Sequence, residues 1–89
     1  MKNEMKINDE IQDIVEVINE IIDDDTTNKN IKESLEDVIQ ILLGDENVTV
    51  KIHNALQALE ELSENKSMES FTRSAIFNIV SMLESLNGN

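Results

Sequence analysis

The 89 residues predict an all-α fold, an antiparallel up-and-down four-helix bundle, on three observations. Apolar residues recur at steps of three and four in four separate stretches. Short polar segments carrying helix-cap residues separate those stretches. No stretch alternates apolar and polar residues as a half-buried strand would.

The first helix is expected over residues 6–23, on Ile7, Ile11, Ile14, Val15, Ile18, Ile21 and Ile22. Asp24-Asp25-Thr26-Thr27-Asn28 ends it and supplies several N-cap candidates for the second, expected over 28–43. That helix rests on Ile31, Leu35, Val38, Ile39 and Leu42. Gly44 then offers a left-handed C-terminal stop, and Asp45 or Asn47 a cap for the third helix, over 47–63. Val48, Ile52, Ala55, Leu56, Leu59 and Leu62 form its stripe. Asn65 or Ser67 would cap the fourth helix, over 67–86. Connections this short make successive helices antiparallel neighbours within one domain spanning residues 1–89.

The fourth helix departs from the others. Between Ser70 and Leu83 its only formal charge is Arg73. Phe71, Ala75, Ile76, Phe77, Ile79 and Val80 spread its apolar arc over about 240°, twice the usual width. Two arrangements account for that width. Either the helix is central and touches several neighbours, or part of it is covered by a second copy through a dimer face of Ile76, Phe77 and Val80. A bases-early pattern at Lys32, Lys51 and Arg73 also suggests a weak internal repeat without fixed period.

Charge is concentrated at the other end of the chain. Nineteen acids against seven bases give a net −12, of which −7 falls within residues 1–25. Asp9, Asp13, Glu16, Glu20 and Asp23 step by four, three, four and three opposite the isoleucine stripe, and Asp24 and Asp25 extend them. Such a stripe serves as a solvated face, as a docking face for a basic partner, or as a loose divalent-cation site.

The composition excludes much chemistry. Without cysteine there is no disulfide framework, thiolate metal site or thiol nucleophile. Seven scattered bases, and two phenylalanines expected in the core, argue against direct nucleic-acid binding. His53, the sole histidine, falls outside the apolar arc and has no imidazole or thiol with which to share a metal. An EF-hand loop beginning at Asp23 would place Asn28 and Ser34 where glycine and glutamate are needed, and one beginning at Asp45 places Val50 and Leu56 there. With only Gly44 and Gly88 no glycine-rich phosphate loop is available, and no serine has an oriented base. The residues therefore predict no catalytic group, no cofactor and no resident metal. Met1–Lys6 carries no apolar signal-peptide core, and no stretch approaches about 18 uninterrupted apolar residues, so a soluble cytoplasmic protein with no membrane partner is expected.

Particular runs also resemble a known family. Thr26-Thr27-Asn28-Lys29-Asn30-Ile31-Lys32, Val50-Lys51, and the run from Arg73 through Ser74-Ala75-Ile76-Phe77-Asn78-Ile79-Val80-Ser81-Met82-Leu83 to Glu84 are similar to the small archaeal uncharacterised protein family 0147. The likeness extends from about Ile14 to Leu86. Members of that family tend to place prolines where the second and fourth helices start, and this chain has none; Phe77 stands where tryptophan is usual. The resemblance implies a compact four-helix fold and no established activity, and it assigns no functional residue.

The leading expectation is a small acidic cytoplasmic protein-interaction module without catalysis, possessing two candidate surfaces. One is the acidic stripe, suited to a basic protein; the other is the apolar fourth helix, suited to a homodimer. The alternative is a carboxylate-based divalent-metal or small-ligand binder using Asp13, Glu16, Glu20 or Asp23-Asp24-Asp25.

Overall fold

Four amphipathic stripes need partners, and the chain satisfies them by folding back on itself three times. In the computed structural model, which describes residues 4–87 and the side chains of residues 6–86, the helices are α1 (Glu4–Ile22), α2 (Lys29–Leu43), α3 (Val48–Ser63) and α4 (Ser70–Asn87). Each packs on its neighbour in sequence, and α1 closes the ring by packing on α4. The result is a four-helix bundle 38 Å long and about 20 Å across. No strand occurs among the described residues.

Each helix buries one face. Ile11, Ile14, Val15, Ile18 and Ile21 point inward from α1, meeting Ile31, Leu35, Val38, Ile39 and Leu42 of α2. Ile52, Ala55, Leu59 and Leu62 of α3 and Ile76, Ile79, Leu83 and Leu86 of α4 complete the core. Every buried apolar side chain among the described residues is aliphatic or methionine. Such a core draws its stability from removing branched hydrocarbon from water, about 1.5–3 kcal/mol for each large side chain fully buried.

The helix ends are set by side chains. Asn28 caps α2, its side-chain oxygen accepting the Asn30 amide at 2.7 Å, and Asn47 caps α3 by accepting the Val50 amide at 2.9 Å. These caps satisfy amides that the first turn of a helix otherwise leaves without a partner. Thr27 closes α1 from the other side. Its buried hydroxyl donates to the Ile21 carbonyl at 2.9 Å, filling the place of a continuing helical turn.

Three local expectations are corrected. Gly44 is extended (φ −73°, ψ −176°) rather than left-handed, and its amide reaches the Ile41 carbonyl at 3.3 Å. Neither Asn65 nor Ser67 caps α4, because the chain continues in a turn to Glu69 and the helix begins at Ser70. Asn65 instead accepts the Ser67 amide at 2.9 Å, shaping the turn that drops Met68 into the core. The third correction concerns α4 as a whole.

The wide apolar arc of α4 does not make it a central helix. Its buried positions are Thr72, Ile76, Ile79, Leu83 and Leu86, stepping by four, three, four and three like an ordinary one-sided stripe. Ala75 and Val80 are half-buried at the margins of that stripe. Phe71 and Phe77 lie outside it, 64% and 53% exposed, and not in the core as their size predicts. Ile76 is fully buried, so it belongs to the core and not to the exposed face assigned to it with Phe77 and Val80.

An acid-rimmed groove as the candidate functional site

At about 100° per residue, Phe71 and Phe77 point to opposite flanks of α4. Arg73 identifies one flank, because its side chain reaches α3. Its guanidinium donates to the Ser63 carbonyl at 2.6 Å and to the Asn65 carbonyl at 2.8 Å. Phe77 and Val80 share that α3-facing side with it, within about 40° of rotation. Phe71 lies on the other flank, towards α1, where it lines a small groove of about 170 Å³ with Val17, Ile21 and Ala75.

Further along the same pair of helices a second concavity follows the first. Ile14 from α1 and Met82 and Leu86 from α4 line a stretch of about 390 Å³. Its walls show the imbalance of charge that the sequence carries. Glu10 and Asp13 in this stretch, and in the first Glu20 together with Asp24 from the turn after α1, form one acidic rim. The α4 rim is neutral: Asn78, Ser81 and Ser85. A third concavity, about 550 Å³ between α2 and α3, has only Ala58 and Leu62 as its apolar lining.

The acids predicted as one stripe are placed as follows. Asp9, Asp13, Glu16, Glu20 and Asp23 are exposed, and all but Asp23 lie on α1 opposite the core. Asp13 and Glu20 stand on the side of the stripe nearest α4. Asp24 and Asp25 belong to the turn after α1 and not to the helix. There the Asp24 carboxylate accepts the Thr26 hydroxyl at 2.7 Å and the Thr26 amide at 2.8 Å. These two bonds, foremost the hydroxyl's, hold its carboxyl below the ordinary aspartate value, and the positive charge of Lys32 adds to the effect.

Nothing in the described structure groups these carboxylates as ligands. Among the described residues no three acidic or histidine side chains converge as they would around a metal ion. His53 is exposed on α3. Of the three bases in the suggested repeat, Arg73 ties the end of α3, and Lys32 contributes only its charge to the surroundings of Asp24. No helix among the described residues is long and apolar enough to cross a membrane.

The model of an uncharacterised protein family, UPF0147, matches residues 1–86. The chain belongs to the UPF0147 family. A UPF0147 protein of Thermococcus kodakarensis is 34% identical over 83% of this chain and 92% of its own length. One from Sulfurisphaera tokodaii is 32% identical over 85% of this chain and 86% of its own length. A third, from Pyrococcus horikoshii, is 29% identical over 90% of this chain and 88% of its own length. No solved structure matches the chain at a significant level. Membership of UPF0147 supplies no established activity, so a reading of function rests on the surfaces just described.

The missed features have a common cause. Sequence spacing locates the acids on one face of α1, yet it does not say which flank of that face meets α4. The groove exists only because the ring closes between the first and last helices. Phe71 could have been placed outside the core by noticing that it falls off the 72–76–79–83–86 stripe by one residue.

Proposed function

We propose that this UPF0147 chain is a small, non-catalytic cytoplasmic interaction module whose partner is a basic protein. The observation that carries the reading is the exposed carboxylate face of α1 in a chain of net charge −12. Like charges gathered on one helix repel one another, and a basic surface relieves that repulsion on contact. Attraction of this kind weakens as salt screens it over roughly 8–10 Å at physiological ionic strength.

The test is capture from a soluble extract of the source organism, followed by purification of what is captured. The purified partner is expected to bind the native chain more weakly as salt rises, and to lose the variant carrying Asp9→Asn, Asp13→Asn, Glu16→Gln and Glu20→Gln. Binding indifferent to both salt and this neutralisation contradicts the proposal. Because the four residues are exposed, the variant is expected to keep its helical circular dichroism.

Self-association is proposed for the other flank of α4, with Ile76 removed from it and Phe77 and Val80 retained. The observation in favour is the exposed Phe77 on a helix with almost no charge, where two acidic copies would meet with little repulsion. Sedimentation at micromolar concentration is expected to give a dimer that Phe77→Asp converts to a monomer. A monomeric native chain under the same conditions rejects this part.

A further inference from the structure

The groove between α1 and α4 joins the two features that the sequence kept apart, the acidic helix and the exposed apolar residues of the last helix. Its two stretches follow one another along the same helix pair. On α4 the lining passes from Phe71 and Ala75 through Asn78 to Met82 and Leu86. Fifteen residues of helix advance about 22 Å, or four turns, which is the length of a short helix laid alongside. Phe71 marks one end, its ring more than half exposed although the groove is apolar beneath it.

Charge decides what can lie there. One rim carries Asp13, Glu20 and Asp24, and the opposite rim is serine and asparagine. A second copy of this chain would bring another −12 against that rim. A basic segment gains on both sides: its cations meet the α1 carboxylates and its apolar side chains cover Phe71, Ala75 and Met82. The α2–α3 concavity has acids too, but no exposed large apolar side chain to anchor an occupant.

We propose that the α1–α4 groove docks one basic amphipathic helix of a partner protein, with apolar residues of that helix seated against Phe71 and Met82 and its lysines or arginines facing Asp13 and Glu20. The bundle then gains a fifth helix antiparallel or parallel to α4. Helix-in-groove recognition reads apolar side chains at steps of three and four, and the acidic rim selects for a cationic outer face. This inference rests on the interaction reading above and goes further in naming where and what the occupant is.

The probe is a synthetic helical peptide of about fifteen residues, the length that matches the groove. It carries leucines on one face and lysines on the remainder, and a matched peptide replaces the leucines with glutamines at the same charge. Fluorescence anisotropy against the full chain is expected to show tighter binding of the leucine peptide. Phe71→Ala is expected to weaken that binding about tenfold or more, as loss of an aromatic anchor does, while Phe77→Ala leaves it unchanged. Phe71 is exposed, so its truncation does not threaten the fold, and an unchanged melting temperature verifies this. Equal binding of the two peptides, or indifference to Phe71→Ala, overturns the groove while leaving the acidic docking face standing. No binding of either peptide at low salt overturns both. A native dimer that Phe71→Ala dissociates overturns the proposal in favour of a second copy as the occupant.

Discussion

Leu35→Ala is expected to lower the unfolding free energy by about 3 kcal/mol, within the 2–5 kcal/mol that such truncations cost in well-packed cores. Leu35 is completely buried in the middle of α2. It packs in the aliphatic cluster formed by all four helices. Removing three carbons there loses their transfer free energy and leaves a cavity that surrounding isoleucines, stiff at their branched Cβ, fill poorly. In a domain of this size each 1 kcal/mol moves the melting temperature by about 4–8 °C, so a fall of about 12–24 °C is expected. Leu43→Ala is the control. Leu43 ends the same helix but is 49% exposed, and its truncation is expected to change stability by no more than about 0.5 kcal/mol. Chemical denaturation measures both. Similar losses for the two variants would mean that the core does not sit where the buried residues place it.

Arg73→Met is expected to cost about 2 kcal/mol, an unusually large effect for a partly exposed cation. The side chain crosses from the first turn of α4 to the end of α3, where Ser63 and Asn65 present carbonyls beyond the reach of the helix's own amides. A guanidinium there supplies two charge-assisted hydrogen bonds and a positive charge at the negative end of the α3 dipole. Methionine keeps much of the apolar stem and removes only the fork, so the loss reports the two bonds and the charge. Arg73→Lys is expected to recover less than half of the loss, since an ammonium lacks the planar fork that spans two carbonyls. Thermal melts give the ranking, and hydrogen exchange should show the damage localised to residues 63–69. Full stability with lysine at this position would show that charge alone is enough.

The contrast between these two positions also separates what the sequence discloses from what it conceals. Leu35 is legible because its neighbours at 31, 38, 39 and 42 repeat at helical spacing, and burial follows from the period alone. The starts of α2 and α3 fall within one residue of expectation because Asn28 and Asn47 act locally, on amides two and three residues away. Arg73 acts eight and ten residues back, on carbonyls exposed by the end of another helix, and no local pattern announces that reach. The start of α4 slips to Ser70 for a related reason. Residues 65–69 must turn so that Met68 enters the core, and that demand is tertiary.

The surfaces divide in the same manner. The acids of α1 face outward as their spacing requires, because a helix with an isoleucine face has one other place to put them. The phenylalanines do not follow their size. Phe71 and Phe77 sit one register off the buried stripe, and a core filled by isoleucine and leucine leaves them outside. Ile76, adjacent in sequence to Phe77, is turned about 100° from it and is fully buried. That one step of rotation separates a core residue from a surface one, and it reduces the self-association face to Phe77 and Val80. The groove follows from ring closure, which sets Phe71 against the flank of α1 that carries Asp13 and Glu20.

The central claim is that a basic partner is held on the α1 carboxylates beside α4. Chemical-shift mapping of the isotope-labelled full chain with the leucine–lysine peptide measures this directly, because every amide reports its own surroundings. The account predicts shifts along α1 at Asp13, Val17 and Glu20 and along α4 at Phe71, Ala75 and Met82, diminishing as salt is raised. Shifts concentrated on the α2–α3 face, or spread evenly over all exposed acids, would contradict it.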